Sequence, residues 1–233
     1  MRTEICIPAF NEERIIAEAV QAVARAFREA GREALITVAD NASTDRTASI
    51  AGGIPRVSVL PVPVRGKGAA VIAAVRRSEA DLFGFIDADL SVNPREIISF
   101  LTPLEGNECD IVIGSRLLDS TIVDRGMFRT LLSKTFNILR RMIVGVNVED
   151  TQCGLKVMNA RGKEILAKCT ETGWFFDMEF LARAERAGLR IREVPIHWHE
   201  FRFPGRASKL NLLCDSVGAL CAMFRIRRAI TTK

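Results

Sequence analysis

Apolar and polar positions along this chain fall into blocks whose period switches between two and about 3.6. Short apolar runs at 5–7 (closed by Pro8), 35–39, 57–60, 82–86 and 110–114 read as five strands. Between them lie helical patterns. Ile15, Ile16, Ala19, Val20, Val23, Ala24 and Phe27 keep an i, i+3, i+4 spacing that predicts a helix over 12–30, stopped by Gly31. Ser43-Thr-Asp45 is expected to cap a helix running to about Ala51, and 66–79 and 97–104 read as two more. Strands alternating with helices imply an α/β fold with a mostly parallel central sheet and helices on both faces. In such sheets a nucleotide lies at the carboxyl ends of the strands. Pro8 to Glu12, Asp40-Asn41, Asp87 to Asp89 and Gly114-Ser-Arg116 all fall at such ends.

Two later segments have a different texture. Phe128, Leu131, Leu132, Thr135, Phe136, Leu139 and Ile143 make an apolar stripe at helical spacing, with Arg129, Ser133 and Arg140 together on another face. This fits a core helix with a solvated basic face, or a helix at a membrane surface that binds an acceptor phosphate. Residues 210–224 are apolar but interrupted by Asn211 and Asp215, and Arg225-Ile-Arg-Arg228 follows. That pairing suits anionic lipid, a packing helix or an oligomer contact. With no linkers or repeats, the chain reads as one domain: a nucleotide-binding half at 1–118, an acceptor half at 119–210 and an amphipathic C-terminal helix at 211–233.

The chemistry is most concentrated in Leu82-Phe-Gly-Phe-Ile-Asp-Ala-Asp-Leu90, where a strand ends in two carboxylates two apart, Asp87 and Asp89. In extended chain they point the same way and repel unless a cation lies between them. A hard divalent ion, Mg²⁺ or Mn²⁺, with substrate phosphates as further ligands fits them. Taken alone, the pair also fits a solvated turn ahead of a helix cap. Composition favours an anionic partner: the 233 residues carry a net charge of +5. Nucleic acid is disfavoured, since Tyr is absent and the Phe residues read as buried. Six cysteines without a C-x-x-C pair, and two histidines, argue against zinc and for reduced thiols. His197 and His199 share one side of a strand and read as structural or surface residues. A strand starting at Glu4 leaves no room for a signal peptide, and no apolar run reaches the roughly 18 residues of a membrane span. The expectation is a cytoplasmic chain, peripheral to the membrane.

Four motifs in order, Ile7-Pro-Ala-Phe-Asn-Glu-Glu13, Val38-Ala-Asp-Asn-Ala-Ser-Thr-Asp-Arg-Thr47, Arg65-Gly-Lys-Gly-Ala-Ala70 and Asp87-Ala-Asp-Leu90, resemble the nucleotide-sugar half of family 2 glycosyltransferases with the GT-A fold. Asp150-Thr-Gln-Cys-Gly-Leu-Lys156, Gly173-Trp-Phe-Phe-Asp-Met-Glu179, Glu193-Val-Pro195 and Ser208-Lys-Leu210 narrow the likeness to the dolichyl-phosphate mannose and glucose synthases, with Asp-Thr-Gln-Cys-Gly nearer the glucose branch. The resemblance implies donor contacts at Pro8, Ala9, Phe10, Glu12, Val38, Asp40, Asp87 and Ala88, and a metal on Asp87 and Asp89. It implies Arg116, Arg129 and Ser133 on the acceptor phosphate and Lys209 over the donor diphosphate. Lys67, between two glycines at a helix start, meets a phosphate or sits on a solvated loop. Asp150 is a general base, or positions the acceptor or sugar hydroxyls. Asp177 and Glu179 read a substrate or are buried hydrogen-bonding acids. Asn41-Ala42 and Phe10 stand where relatives often have Asp-Gly and Tyr, which leaves UDP and GDP both open. Ser91 stands where a metal-binding Gln is common, which leaves the metal open.

The expected function is inverting, metal-dependent transfer of a hexose (glucose or mannose) from a UDP- or GDP-sugar to a polyprenyl (dolichyl or undecaprenyl) phosphate, with Asp89, Asp150 and Arg116 at the reacting centre. The rival is a soluble family 2 enzyme with a hydroxyl acceptor. Attachment through a separate membrane-anchor protein or self-association is also open.

Overall fold

A computed structural model of the chain describes residues 1–118, 139–198 and 212–231, with side chains in the last segment from 218 onward. Its elements are β1 (Thr3–Ala9), α1 (Ile16–Glu29), β2 (Leu35–Asp40), α2 (Thr47–Gly52), β3 (Val57–Pro61), α3 (Lys67–Arg77), β4 (Leu82–Ile86), α4 (Glu96–Glu105) and β5 (Ile111–Ser115). After residues 139–143, which are helical, come β6 (Leu155–Met158), α5 (Ala160–Ala167), α6 (Phe176–Arg186), β7 (Ile191–Pro195) and α7 (Leu212–Thr231).

The strands form one sheet in the order β3-β2-β1-β4-β6-β5-β7. All neighbours run parallel except β6, which is antiparallel to both β4 and β5. The period-two pattern sorts side chains to two apolar faces, as expected of strands covered on both sides. Ile5, Ile7, Ile36, Val38, Leu82 and Ile86 pack under α1 and α4, whereas Cys6, Ala39, Phe83 and Phe85 pack under α3 and α6. The same second face receives Met223 and Ile226 of α7.

Differences from the sequence reading have local causes. The first strand continues through Pro8 to Ala9, because β4 pairs with β1 only as far as Cys6, so the missing proline N–H costs no ladder bond on that side. The first helix starts at Ile16 instead of residue 12. The amides of Asn11, Glu12 and Glu13 donate to Ser43 Oγ (3.0 Å), Thr47 Oγ1 (2.8 Å) and Asp45 Oδ2 (3.2 Å). The Ser43–Thr47 motif thus clips the end of β1 to the end of β2. Asp45 also takes the Thr47 amide (2.9 Å), at the start of α2. Strand β6 has no counterpart in the sequence reading, since Lys156 interrupts its short apolar run. The histidine pair is not on a strand: His197 lies beyond β7, is exposed and meets Glu96 at 3.2 Å, while His199 lies outside the described residues.

Two features of the frame carry testable consequences. Ala42 adopts a left-handed φ of 58°, which costs a side-chain-bearing residue about 1–2 kcal/mol. Ala42→Gly relieves that strain at a smaller entropic cost, so a net stabilisation of about 0.5–1 kcal/mol is expected in a denaturant melt.

Asp110 is fully buried before β5 and accepts from the Arg190 amide (2.9 Å) and Asn159 Nδ2 (3.0 Å), with the Arg161 and Arg190 guanidiniums beside it. Burial opposes ionisation, but these donors outweigh it and hold the carboxyl at about 2, below its ordinary 3.8. A depressed folded pKa stabilises fully above the unfolded value. Stability should therefore fall as pH drops from about 4 through about 2, and Asp110→Asn should remove that part of the acid slope in melts across this window.

Candidate active site

The carboxyl ends of β1, β2, β4 and β5 share one rim, and antiparallel β6 brings its preceding turn, residues 150–154, to the same rim. Because β2 and β4 flank β1 on opposite sides, the rim at β1 is the topological switch point of the sheet.

On the β1–β2 side, Ala9 is buried, Pro8, Phe10 and Glu12 are half-buried, and the Arg65 guanidinium lies 4.8 Å from the Phe10 ring centroid. Asp40 is buried, and its Oδ1 has no hydrogen-bond partner among the described residues. A buried acceptor without a donor is costly, and a base N–H or ribose hydroxyl would satisfy it. Asn41 is structural. Its Nδ2 donates to Val64 O, and its Oδ1 accepts from the Gly66 amide, both at 2.6 Å, tying β2 to the loop before α3. Val38 is fully buried in the core and shapes the rim only from beneath.

Lys67 is not on a solvated loop: its side chain is 9% exposed and Nζ stands 2.6 Å from Asp87 Oδ1. The Phe85, Trp174 and Phe176 rings surround the ammonium at 5.9, 5.7 and 5.9 Å. Burial pushes Lys67 toward neutrality, but Asp87 and Asp177 outweigh it and raise its pKa. The placement depends on Gly66, whose φ is 132° and where a Cβ would meet Thr172 O at 2.1 Å. The Gly68 and Ala69 amides at the start of α3 donate to Gly173 O and Thr172 O.

Asp87 is fixed from its other side by Gly154, where a Cβ would lie 2.2 Å from Asp87 Oδ2. Ala88 beside it is buried. Asp89 is half-buried and takes the Ser91 amide on Oδ1 (3.0 Å), with Leu90 in a left-handed turn at φ 55°. No group of three His, Cys, Asp or Glu with metal-binding geometry occurs among the described residues. Two half-exposed carboxylates at a strand end suit a hard cation that takes its other ligands from phosphate and water.

The β5–β6 side of the rim is built on Arg116 and Asp150. Arg116 Nε and Nη2 meet Asp150 Oδ2 and Oδ1 at 2.7 and 2.8 Å, and the Arg116 amide adds a third bond at 3.0 Å. Burial raises a carboxyl pKa, yet the Arg116 fork overcomes it and holds Asp150 below the ordinary range. Glu193 anchors the turn by accepting from the Glu149 and Asp150 amides at 2.7 and 3.1 Å. The Cys153 thiol is pushed up to about 11, chiefly by burial and then by Asp150, so it is no nucleophile.

Of the two acids after Trp174, both are buried. Asp177 stands 2.6 Å from Lys156 Nζ, and burial raises its pKa against the pull of Lys156 and Lys67. Glu179 accepts from the Thr170 and Glu171 amides and from Arg183. These bonds leave Glu179 a structural acid. Arg129, Ser133 and Lys209 lie outside the described residues. Gly154, Lys156 and Glu193 were missed as individuals, although each sat inside a quoted motif.

The glycosyl transferase family 2 model matches residues 4–162. The chain belongs to that family. It is 29% identical to the glycosyltransferase AglD of Haloferax volcanii over all of this chain but 38% of that protein. It is also 29% identical to the dolichyl-phosphate beta-glucosyltransferase of Saccharomyces cerevisiae, over 97% of this chain and 74% of that one. Among solved structures, glucosyl-3-phosphoglycerate synthase from Mycobacterium tuberculosis, in complex with Mn²⁺ and UDP-glucose, matches at a TM-score of 0.64 and 25% identity, covering 96% of this chain and 75% of that one. The fold of this family 2 chain is GT-A.

Gly154→Ala tests the contact that seats Asp87. The added methyl displaces a short side chain already held by Lys67. Nucleoside diphosphate affinity, measured by calorimetry with Mn²⁺, should fall about tenfold or more while the melting temperature changes little.

Proposed function

We propose that this family 2 chain is an inverting glycosyltransferase that moves a hexose, glucose first among candidates, from a UDP-sugar to a polyprenyl phosphate at a membrane surface. The observation that carries the choice of acceptor is the Arg116–Asp150 fork. A hydroxyl acceptor needs a base to take its proton, whereas a lipid phosphate is already anionic near neutral pH. Asp150, with its pKa lowered and both oxygens engaged by Arg116, is a poor base and a good anchor.

In this reading a phosphate oxygen of the acceptor attacks the anomeric carbon as its bond to the nucleoside diphosphate breaks, inverting that centre. The diphosphate departs with the bonding pair. Asp87 and Asp89 would hold a divalent cation, which when bound supplies charge neutralisation at the diphosphate. The chain's own groups supply placement. Asp40 receives the base or ribose, and Lys67 fixes Asp87. Arg116 spends Nε and Nη2 on Asp150, and that fork does not use Nη1. Arg129 and Ser133 on the acceptor phosphate, and Lys209 on the diphosphate, rest on the resemblance alone. The yeast relative's name supports a glucose donor and a dolichyl phosphate acceptor, and the UDP-glucose complex supports the nucleotide.

Peripheral attachment to a membrane surface is supported by α7. One side packs through Ala219, Ala222, Met223 and Ile226. Leu220, Phe224, Arg227 and Arg228 lie at i, i+4, i+7 and i+8 and are exposed, an apolar stripe ending in charge that suits anionic lipid. Among the described residues no helix is long and apolar enough to cross a membrane.

The test is a purified-protein assay with Mn²⁺ or Mg²⁺, UDP-glucose and GDP-mannose, with and without a short polyprenyl phosphate, read as diphosphate release and lipid product mass. Lipid-dependent release with UDP-glucose, abolished in Asp87→Ala/Asp89→Ala, is expected. Release that ignores lipid but responds to phosphoglyceric acid would instead establish a small hydroxyl acceptor, the reading favoured by the glucosyl-3-phosphoglycerate synthase likeness.

A further inference from the structure

Lys156 sits in the middle of β6 with no exposed surface, an uncommon place for a lysine. Its Nζ donates to Cys153 O (2.7 Å) and Thr151 O (3.0 Å) and stands 2.6 Å from Asp177 Oδ1. Asp177 supplies the counter-charge, and the two carbonyls are the other acceptors around the ammonium. The ammonium also lies 5.4 Å from the Phe85 ring centroid.

A buried ion pair is seldom retained for stability alone, since apolar groups of similar volume usually serve the fold as well. What an apolar group cannot do here is hold two inward-facing carbonyls of the turn 150–154. That turn carries Asp150 at one end and Gly154 at the other, and Gly154 is the backbone against which Asp87 rests. We propose that Lys156 is a positioning residue for the transfer reaction, pinning one turn so that Asp150 with Arg116 on the acceptor side and Asp87 on the donor side keep a fixed separation. The chemical part of this rests on the function proposed above; the structural part does not.

The partner charge ties the turn to a second element. Asp177 belongs to the first turn of α6, beside Phe176, whose ring faces both Lys67 and Phe85. Lys156 therefore joins the acceptor turn to the packing that also seats Lys67 and Asp87.

The decisive variant is Lys156→Met/Asp177→Leu, which removes both charges together and keeps the volume apolar. Its melting temperature, local hydrogen exchange and turnover are compared with wild type. The expected result is a folded protein with a near-wild-type melting temperature, and amides of 151–155 and Arg116 exchanging roughly tenfold faster. Turnover should be about 100-fold lower. Lys156→Gln, which keeps one donor for a carbonyl, should show intermediate exchange and partial recovery of turnover. Unchanged exchange at the turn with wild-type turnover would overturn the proposal, and so would loss of folding in both variants, which would make Lys156 a structural residue only. If wild type transfers no hexose to any acceptor, the proposed function fails, while exchange at the turn still decides whether Lys156 holds it.

Discussion

Two lysine ammonium groups buried near one aromatic ring govern how this site is arranged. Lys67 and Lys156 lie 5.9 and 5.4 Å from the Phe85 centroid, and neither charge is tolerable in an apolar interior without an anion. Each has one, Asp87 and Asp177. The consequence is geometric. Asp87 is not a free carboxylate at a strand end but one held from beneath by a cation and from the side by Gly154. In the function proposed above, such a pre-aimed carboxylate would need little reorganisation when a diphosphate and its counter-ion arrive, which is where electrostatic catalysis gains most.

The antiparallel strand β6 makes this possible. An all-parallel continuation from β4 to β5 would bring only strand ends and helix starts to the rim. By entering the sheet in the opposite sense, β6 delivers the turn before its first residue to the rim between Asp87 and Arg116. The two sides of the rim thereby share a wall. Arg116 follows β5, Asp150 opens the turn, and their fork closes the gap between the two strands with three hydrogen bonds. Removing one partner of so buried a pair leaves an uncompensated charge, typically worth about 3–5 kcal/mol. The fork is thus part of the frame as well as part of the site.

Much of the N-terminal half was legible because its strands are short, apolar and evenly interleaved with amphipathic helices, and because its polar motifs sit where strands end. The first helix shows the limit of that reading. Periodicity marks its buried face through Ile15, Ile16 and Val20, but its start is set by hydroxyl and carboxylate groups of a loop some 30 residues on. Such capping across the chain has no local signature. Lys67 and Lys156 were opaque for a related reason: a lysine in sequence looks solvated, and only the fold reveals the carboxylate that makes burial possible. Lys156 also hid β6 by breaking its apolar run. Asp177 and Glu179 were legible as acids of consequence but not in role, since substrate contact and backbone bonding demand the same side chain.

The last helix adds a constraint on how an acceptor bound to lipid could reach this rim. Arg225 of α7 pairs with Glu171 at 2.9 Å, and the Glu171 amide is held by Glu179. The next two residues supply the carbonyls that receive the Gly68 and Ala69 amides of α3, one and two places after Lys67. The exposed Leu220 and Phe224 stripe is therefore mounted, through one ion pair and one turn, on the same element that seats Lys67 beside Asp87. A helix attached by a loose tether would let the acceptor phosphate approach at any height. In the function proposed above, one docked to the turn beside the site would set the depth of the rim relative to the membrane surface. For a nucleophile carried at the end of a membrane-embedded chain, that depth decides whether its phosphate meets Arg116, since misplacement by about 1 Å is enough to cost orders of magnitude in rate.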